Sequence, residues 1–226
     1  MSTEVNRPYV PAAGHDWLLA FYDPIAKLMG SEAAHRQLIE QAAIRPGQRV
    51  VEIGCGTGSL TVLVKTLHPG VDVIGLDPDP KALARARRKA DRQRAPVALE
   101  RGYADELPYP DASCDRVLSA FMFHHLEREQ KSRTLREIRR VLKPGGSLHL
   151  LDFGGDHDHA DGFLARLLHR SEHLRDNSRD TILALMRDTG FPDADAVAQR
   201  PSFFGRIYYY RATRPAIGTR PSGDPG

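Results

Sequence analysis

Cysteine is scarce: there are 2 in 226 residues. That is too few for a disulfide framework, so a reducing, cytoplasmic setting is expected. No stretch approaches ~20 apolar residues, and no basic start leads into an apolar run. Neither a membrane span nor a signal peptide is therefore expected. Charge of one sign is also missing in bulk. The formal net charge is +3, which permits an acidic partner but does not call for nucleic acid or an anionic membrane. The one strongly basic stretch, Lys81 to Arg94, has no interleaved aromatics of the kind a nucleic-acid groove uses for stacking. Leu83, Ala86 and Ala90 make a narrow apolar stripe there. Arg85, Arg88, Lys89 and Arg92 fall on the outer side, as on a solvated helix. No internal repeat and no nucleophile motif is present. What remains, 41% hydrophobic and 27% charged residues, is the composition of an ordinary globular protein of one large domain.

The chain is organised around Val50 to Leu60, VVEIGCGTGSL. Val50, Val51 and Ile53 read as a short buried strand interrupted by Glu52. Gly54, Gly56 and Gly58 follow at alternate positions. Leu60, Leu63, Val64 and Leu67 then recur at helical spacing. A strand, a glycine turn and a helix open a nucleotide-binding βαβ unit. Glycines reach positive φ cheaply and let a ligand touch the backbone, and a helix N-terminus favours an anionic group. A dinucleotide fingerprint spaces its glycines G-x-G-x-x-G, whereas here position 59 is serine. A second strand, Val71 to Asp77, ends in an acid placed to accept ribose hydroxyls. That carboxylate does not separate one adenosine ligand from another, so the glycine pattern is what discriminates.

VVEIGCGTGSL, VIGLDPD, the Asp105 segment and LKPGG, in that order, resemble the successive motifs of class I S-adenosylmethionine-dependent methyltransferases. The resemblance covers roughly residues 22–211 and is closest to the subgroup of ubiquinone/menaquinone C-methyltransferases and related small-molecule and lipid enzymes. It implies a Rossmann-like α/β fold: a seven-stranded, mainly parallel sheet with one antiparallel strand, helices on both faces and an N-terminal helical cap. It implies S-adenosylmethionine as cofactor, with Gly54 and Gly56 near its methionine and ribose part. Asp77 and the following Pro78 would meet the ribose, and Ala104 and Asp105 the adenine. Tyr22, of the pair Tyr22-Asp23, would lie over the pocket or else be a half-buried aromatic. Glu52 would hold the loop or a water near the cofactor.

The remaining sequence yields a looser set of expectations. Residues 1–14 read as a flexible arm, 15–213 as the domain with a helical cap at 15–44, and 214–226 as a disordered tail. A strand from Arg116 to Phe123 leads into His124-His125. Ligands of open α/β sheets bind at that edge, so backbone near Ala120 is expected to meet the cofactor's amino group. His124 or His125 is then a general base, an orienting group, or a histidine that packs at a helix start. Lys143 to Gly146 reads as a tight stop before a fifth strand at Ser147 to Phe153. Residues 154–179 read as a substrate-cap insertion. His169 and His173, four apart, could face a metal, but no further ligand at zinc-motif spacing follows, so no metal is expected. Two strands, Ala194 to Arg200 and Gly205 to Ala212, should close the sheet, with Tyr208, Tyr209 and Tyr210 packing on it. The expected partner is a small-molecule or lipid-like acceptor. The rival readings are a short Rossmann NAD-dependent oxidoreductase, which would want its third glycine one residue later, and a cofactor-binding protein without turnover.

Overall fold

Val50, Val51 and Ile53 are fully buried and form the middle of strand β1 (Arg49–Ile53). The rest of the sheet is laid out on either side of it. The computed structural model describes residues 31–154, 177–202 and 205–216. In chain order its elements are α1 (Ser31–Ala42), β1, α2 (Ser59–Leu67), β2 (Asp72–Asp77), α3 (Pro80–Gln93), β3 (Ala98–Arg101) and β4 (Cys114–Ala120). A 3-10 turn (Phe123–His125), α4 (Arg128–Val141), β5 (Leu142–Phe153), α5 (Arg179–Asp188), β6 (Asp195–Ser202) and β7 (Gly205–Thr213) follow.

The strands make one seven-stranded sheet in the order β3-β2-β1-β4-β5-β7-β6. β1 to β5 are mutually parallel, and β7 runs antiparallel to both β5 and β6. This is the expected Rossmann-like sheet with a single antiparallel strand. Strand order reverses between β1 and β4. In such sheets that reversal opens a crevice at the carboxyl ends of the strands.

Both faces are covered, which is why the parallel strands are apolar runs rather than alternating ones. Leu135 and Ile138 of α4 and Ile182 and Met186 of α5 pack with Val51, Ile74, Val117 and Leu148 on one face. Leu38 and Ile39 of α1 and Leu60 and Val64 of α2 pack with Val50, Val73, Leu118 and Leu151 on the other. The three tyrosines of β7 alternate as a strand requires. Tyr208 and Tyr210 join the first core and Tyr209 the second.

Two strand boundaries differ from the sequence expectation. β4 ends at Ala120, not Phe123, because Phe121 takes a left-handed backbone with φ 56° and turns the chain out of the sheet. β5 starts at Leu142 and contains the LKPGG segment expected as a stop. Leu142 pairs with Cys114 and Ser147 with Arg116, so Lys143, Pro144, Gly145 and Gly146 arch out of the ladder between them. Residue 214 holds the arch. The Gly145 N–H donates to the Arg214 carbonyl at 2.9 Å, and the Arg214 N–H to the Gly146 carbonyl at 2.8 Å. α4 begins at Arg128, after a capping box between Glu127 and Gln130. Residues 15–30 of the expected cap, most of the expected insertion with His169 and His173, and the end of the tail lie outside the described residues.

Candidate active site

The crevice at the carboxyl edge begins with the glycine loop. Gly54, Gly56 and Gly58 have φ of 68°, 51° and 75°, which glycine adopts without strain. The N–H groups of Gly54 and Cys55 both donate to the Leu76 carbonyl, at 2.8 and 3.0 Å, and so close the loop over the end of β2. Two of the glycines also allow close approach. A Cβ on Gly54 would run into the Met122 side chain, and one on Gly58 would lie 2.7 Å from the Ala86 Cβ on α3.

Asp77, the last residue of β2, ties itself to this loop. Its Oδ2 accepts the Gly56 N–H at 2.7 Å, and its Oδ1 accepts the Asp79 N–H at 2.9 Å. Burial raises its pKa, and the two backbone bonds oppose that rise. A carboxylate has about four acceptor positions, so these two bonds orient it without exhausting it. Glu52, one residue before the end of β1, is 3% exposed. It accepts a hydrogen bond from the Thr61 hydroxyl of α2. Burial pushes its carboxyl up to about 8, against the hydrogen bond from Thr61. Lys89 departs from the expected solvated face. Its Nζ donates to Ser59 Oγ at 2.7 Å and to Thr57 Oγ1 at 3.3 Å, so α3 reaches into the glycine loop. Basic periodicity alone could not single out this one cation among its neighbours.

The adenine expectation falls on the loop after β3. Asp105 is largely covered and pairs through Oδ2 with the Arg133 Nε of α4 at 3.2 Å. Ala104 packs against the first core. The Pro78 carbonyl accepts from Arg101 Nε at 3.3 Å. At the end of β4, Ala120 is paired with Leu151 and the Phe121 N–H donates to the Leu151 carbonyl at 2.8 Å. Asp77 is in register with Arg101 on the neighbouring strand, and Glu52 with both Gly75 and Leu118. The topology therefore brings Glu52, Gly54, Gly56, Asp77, Pro78, Ala104, Asp105, Ala120, His124 and His125 to one edge of the sheet. Tyr22 lies outside the described residues.

Next to that edge the two histidines behave differently. His124 Nδ1 lies 2.6 Å from Asp152 Oδ1, and the His124 N–H donates to Asp152 Oδ2 at 2.9 Å. The His125 ring lies 4.0 Å from the His124 ring. Among the described residues no group of three or more His, Cys, Asp or Glu could hold a metal ion, and no helix is long and apolar enough to cross a membrane. Cys55 and Cys114 are both free and buried.

Residues 50–146, from β1 to the glycine arch of β5, match the family model described as a methyltransferase domain. Over these residues the chain is similar to methyltransferase domains. Its relatives include a demethylmenaquinone methyltransferase of Thermus thermophilus, 36% identical over 135 residues, or 58% of this chain and 60% of that one. An uncharacterized methyltransferase of Synechocystis is 34% identical over 140 residues, or 61% of this chain and 63% of the other. The chain thus spans less than two thirds of the length of these curated relatives. A phosphoethanolamine N-methyltransferase from Haemonchus contortus shares this fold. It has a TM-score of 0.75 and 18% identity, over 90% of this chain and 58% of that one.

Proposed function

We propose that the chain transfers the methyl group of S-adenosylmethionine to a small-molecule acceptor of the quinol-like or lipid-like kind. The observation that carries this reading is the lock between Asp77 and the glycine loop, where the 2.7 Å bond to the Gly56 N–H fixes a carboxylate beside three left-handed glycines. Ribose hydroxyls are donors that such a carboxylate accepts, and the bare loop backbone lets a ligand approach.

In this reading Gly54 and Gly56 border the methionine and ribose part, Asp77 and Pro78 the ribose, and Ala104 and Asp105 the adenine. Arg133 orients the Asp105 carboxylate through the 3.2 Å pair to Oδ2, and its remaining acceptor positions suit the exocyclic amine. Glu52, above a floor made by Thr61, and the backbone at Ala120 serve the cationic amino end. Tyr22 would cover the pocket from the N-terminal segment. When bound, the sulfonium supplies an already activated methyl group. The protein's task is then to align an acceptor and exclude water. No covalent intermediate on a side chain is required, and none of the edge residues is arranged as an activated nucleophile: burial holds the Cys55 thiol well above its ordinary pKa.

Calorimetric titration with S-adenosylmethionine, S-adenosylhomocysteine and NAD, alongside Asp77→Ala, tests the reading. Micromolar binding of the first two, weakened at least tenfold by the substitution and absent for NAD, is the expected result. Binding of NAD alone would move the site to hydride transfer.

A further inference from the structure

Asp152 is the residue before the end of β5, beside the end of β4, and it is completely buried. A buried carboxylate needs partners that favour its charge. It has three. Oδ1 lies 2.6 Å from His124 Nδ1 and accepts the Phe153 N–H at 2.8 Å, while Oδ2 accepts the His124 N–H at 2.9 Å. Two backbone donors therefore hold the carboxylate in place before the imidazole is considered. An ionised carboxylate only accepts, so the short contact requires a proton on Nδ1. That fixes the neutral tautomer of His124 with its lone pair on Nε2.

The ring itself is held. It stands edge-on to Phe153 with centroids 5.2 Å apart and lies 4.0 Å from the His125 ring. Phe121, whose left-handed backbone starts this turn, packs on Phe153 at 5.0 Å. The His124 side chain remains 16% exposed, so the buried carboxylate serves a ring that solvent still reaches. The turn carrying it also carries Met122, the side chain that lies against Gly54. The imidazole thus stands one short turn from the glycine loop.

We propose that Asp152 positions His124 as the proton acceptor of the site, and that the methyl acceptor is accordingly an aromatic compound with an ionisable hydroxyl. This rests on the methyl-transfer reading above. The hydroxyl proton passes to Nε2, whose lone pair forms the new N–H bond. The O–H electron pair stays with the acceptor: on oxygen where oxygen is the nucleophile, or delocalised to a ring carbon, whose own C–H proton then leaves to solvent as aromaticity is restored. The imidazolium that results is paired with Asp152. A phenolic hydroxyl, with a pKa near 10, lies within reach of an imidazole; an aliphatic alcohol is far less acidic. The aromatic rings of Phe121, Phe153 and His125 around this point suit a flat acceptor.

The test uses the full chain. In the protein labelled with ¹⁵N-histidine, NMR at alkaline pH should show His124 protonated on Nδ1 and bare on Nε2. Asp152→Asn should shift it toward the other tautomer. The Nε2-protonated form in the wild type would overturn the proposal. Methyl transfer from S-adenosylmethionine is then followed with 1,4-dihydroxynaphthalene and with ethanolamine as probes, and cofactor binding is measured in parallel. Transfer to the dihydroxynaphthalene is expected. His124→Asn and Asp152→Asn should lower kcat by about 10²-fold or more, leave cofactor affinity within about twofold of wild type, and remove the acid limb of the pH profile. Imidazole added to His124→Asn should restore part of the rate. Wild-type kcat in Asp152→Asn, or transfer to ethanolamine alone, overturns the proposal. Failure of the wild type to bind S-adenosylmethionine would overturn the methyl-transfer reading instead, and the tautomer of His124 would still decide the role of Asp152.

Discussion

Glu52 shows what a single residue contributes when fold and site share a strand. Its carboxyl is buried, and burial pushes its pKa up to about 8. Because the folded-state pKa lies above the ordinary carboxylate value, the folded protein binds more protons than the unfolded chain between about pH 4.5 and 8. Glu52 therefore lowers stability as pH rises through that window, and each tenfold change in proton affinity is worth about 1.4 kcal/mol. Glu52→Gln keeps an acceptor for Thr61 and cannot ionise. Thermal melts without cofactor should show the variant gaining on the wild type from pH 5 to pH 9; a difference that does not change with pH would contradict this account. The glycines offer a second comparison at this scale. Gly58→Ala suffers both the left-handed backbone and overlap with Ala86, whereas at Gly145, φ 78°, a Cβ meets nothing within 4 Å. Denaturant unfolding should cost about 1–2 kcal/mol for Gly145→Ala from conformation alone, and about 1–3 kcal/mol more for Gly58→Ala. Equal costs would mean that the contact between α2 and α3 relaxes freely.

Among the elements, α1 and β5 are joined by a neutral histidine. Gln41 Nε2 donates to the Tyr210 carbonyl at 2.9 Å and lies 3.1 Å from His149 Nδ1, while His149 Nε2 lies 2.9 Å from Ser147 Oγ. The Gln41 amide donates to Nδ1, so the ring proton sits on Nε2. Adding a second proton would set it against the amide. Burial, reinforced by Arg116 and Arg211, lowers the His149 pKa to about 3. The sign is opposite to that of Glu52: His149 supports the fold fully above pH 6.5, and the support is lost as pH falls toward 3. Urea unfolding at pH 7.5 and pH 5 should show the advantage of the wild type over His149→Gln shrinking by about 2 kcal/mol at the lower pH; a constant advantage would show that the ring takes up its proton as readily in the fold as in the unfolded chain. None of this pairing was legible from sequence, because Gln41 and His149 are 108 residues apart. The elements themselves were, since period-2 and helical apolar patterns depend on near neighbours. Tyr208, Tyr209 and Tyr210 were correctly read as sheet packing for that reason. The misses fell at ends governed by backbone conformation or distant pairing: Phe121 leaving β4, and Lys143 to Gly146 arching inside β5 under the hold of Arg214.

For the molecule as a whole, a parallel sheet collects residues from distant parts of the chain at one edge. That is why residues spread in sequence from Glu52 to His125 fall along one edge of the sheet. What motif order leaves out is what crosses between elements: Lys89 turning into the loop, Arg133 holding Asp105, and Asp152 gripping His124 across 28 residues. Pattern reads along the chain, and these contacts run across it. The edge is also where ligand binding must act on global stability. The candidate pocket draws on the ends of β1, β2 and β4, so a ligand that fits it ties together strands from the middle of the core and binds only the folded chain. A ligand at about 100 times its Kd stabilises by about 2.7 kcal/mol, and for a chain of this size each kcal/mol is worth roughly 2–4 °C in Tm. S-adenosylhomocysteine at that excess should therefore raise Tm by roughly 5–10 °C. NAD at the same concentration should not move it, and Asp77→Ala should lose most of the rise, measured from the variant's own ligand-free Tm, which the two stranded N–H donors lower. A rise that survives Asp77→Ala in full would place the ligand elsewhere than at the end of β2, and with it every cofactor role assigned to this edge.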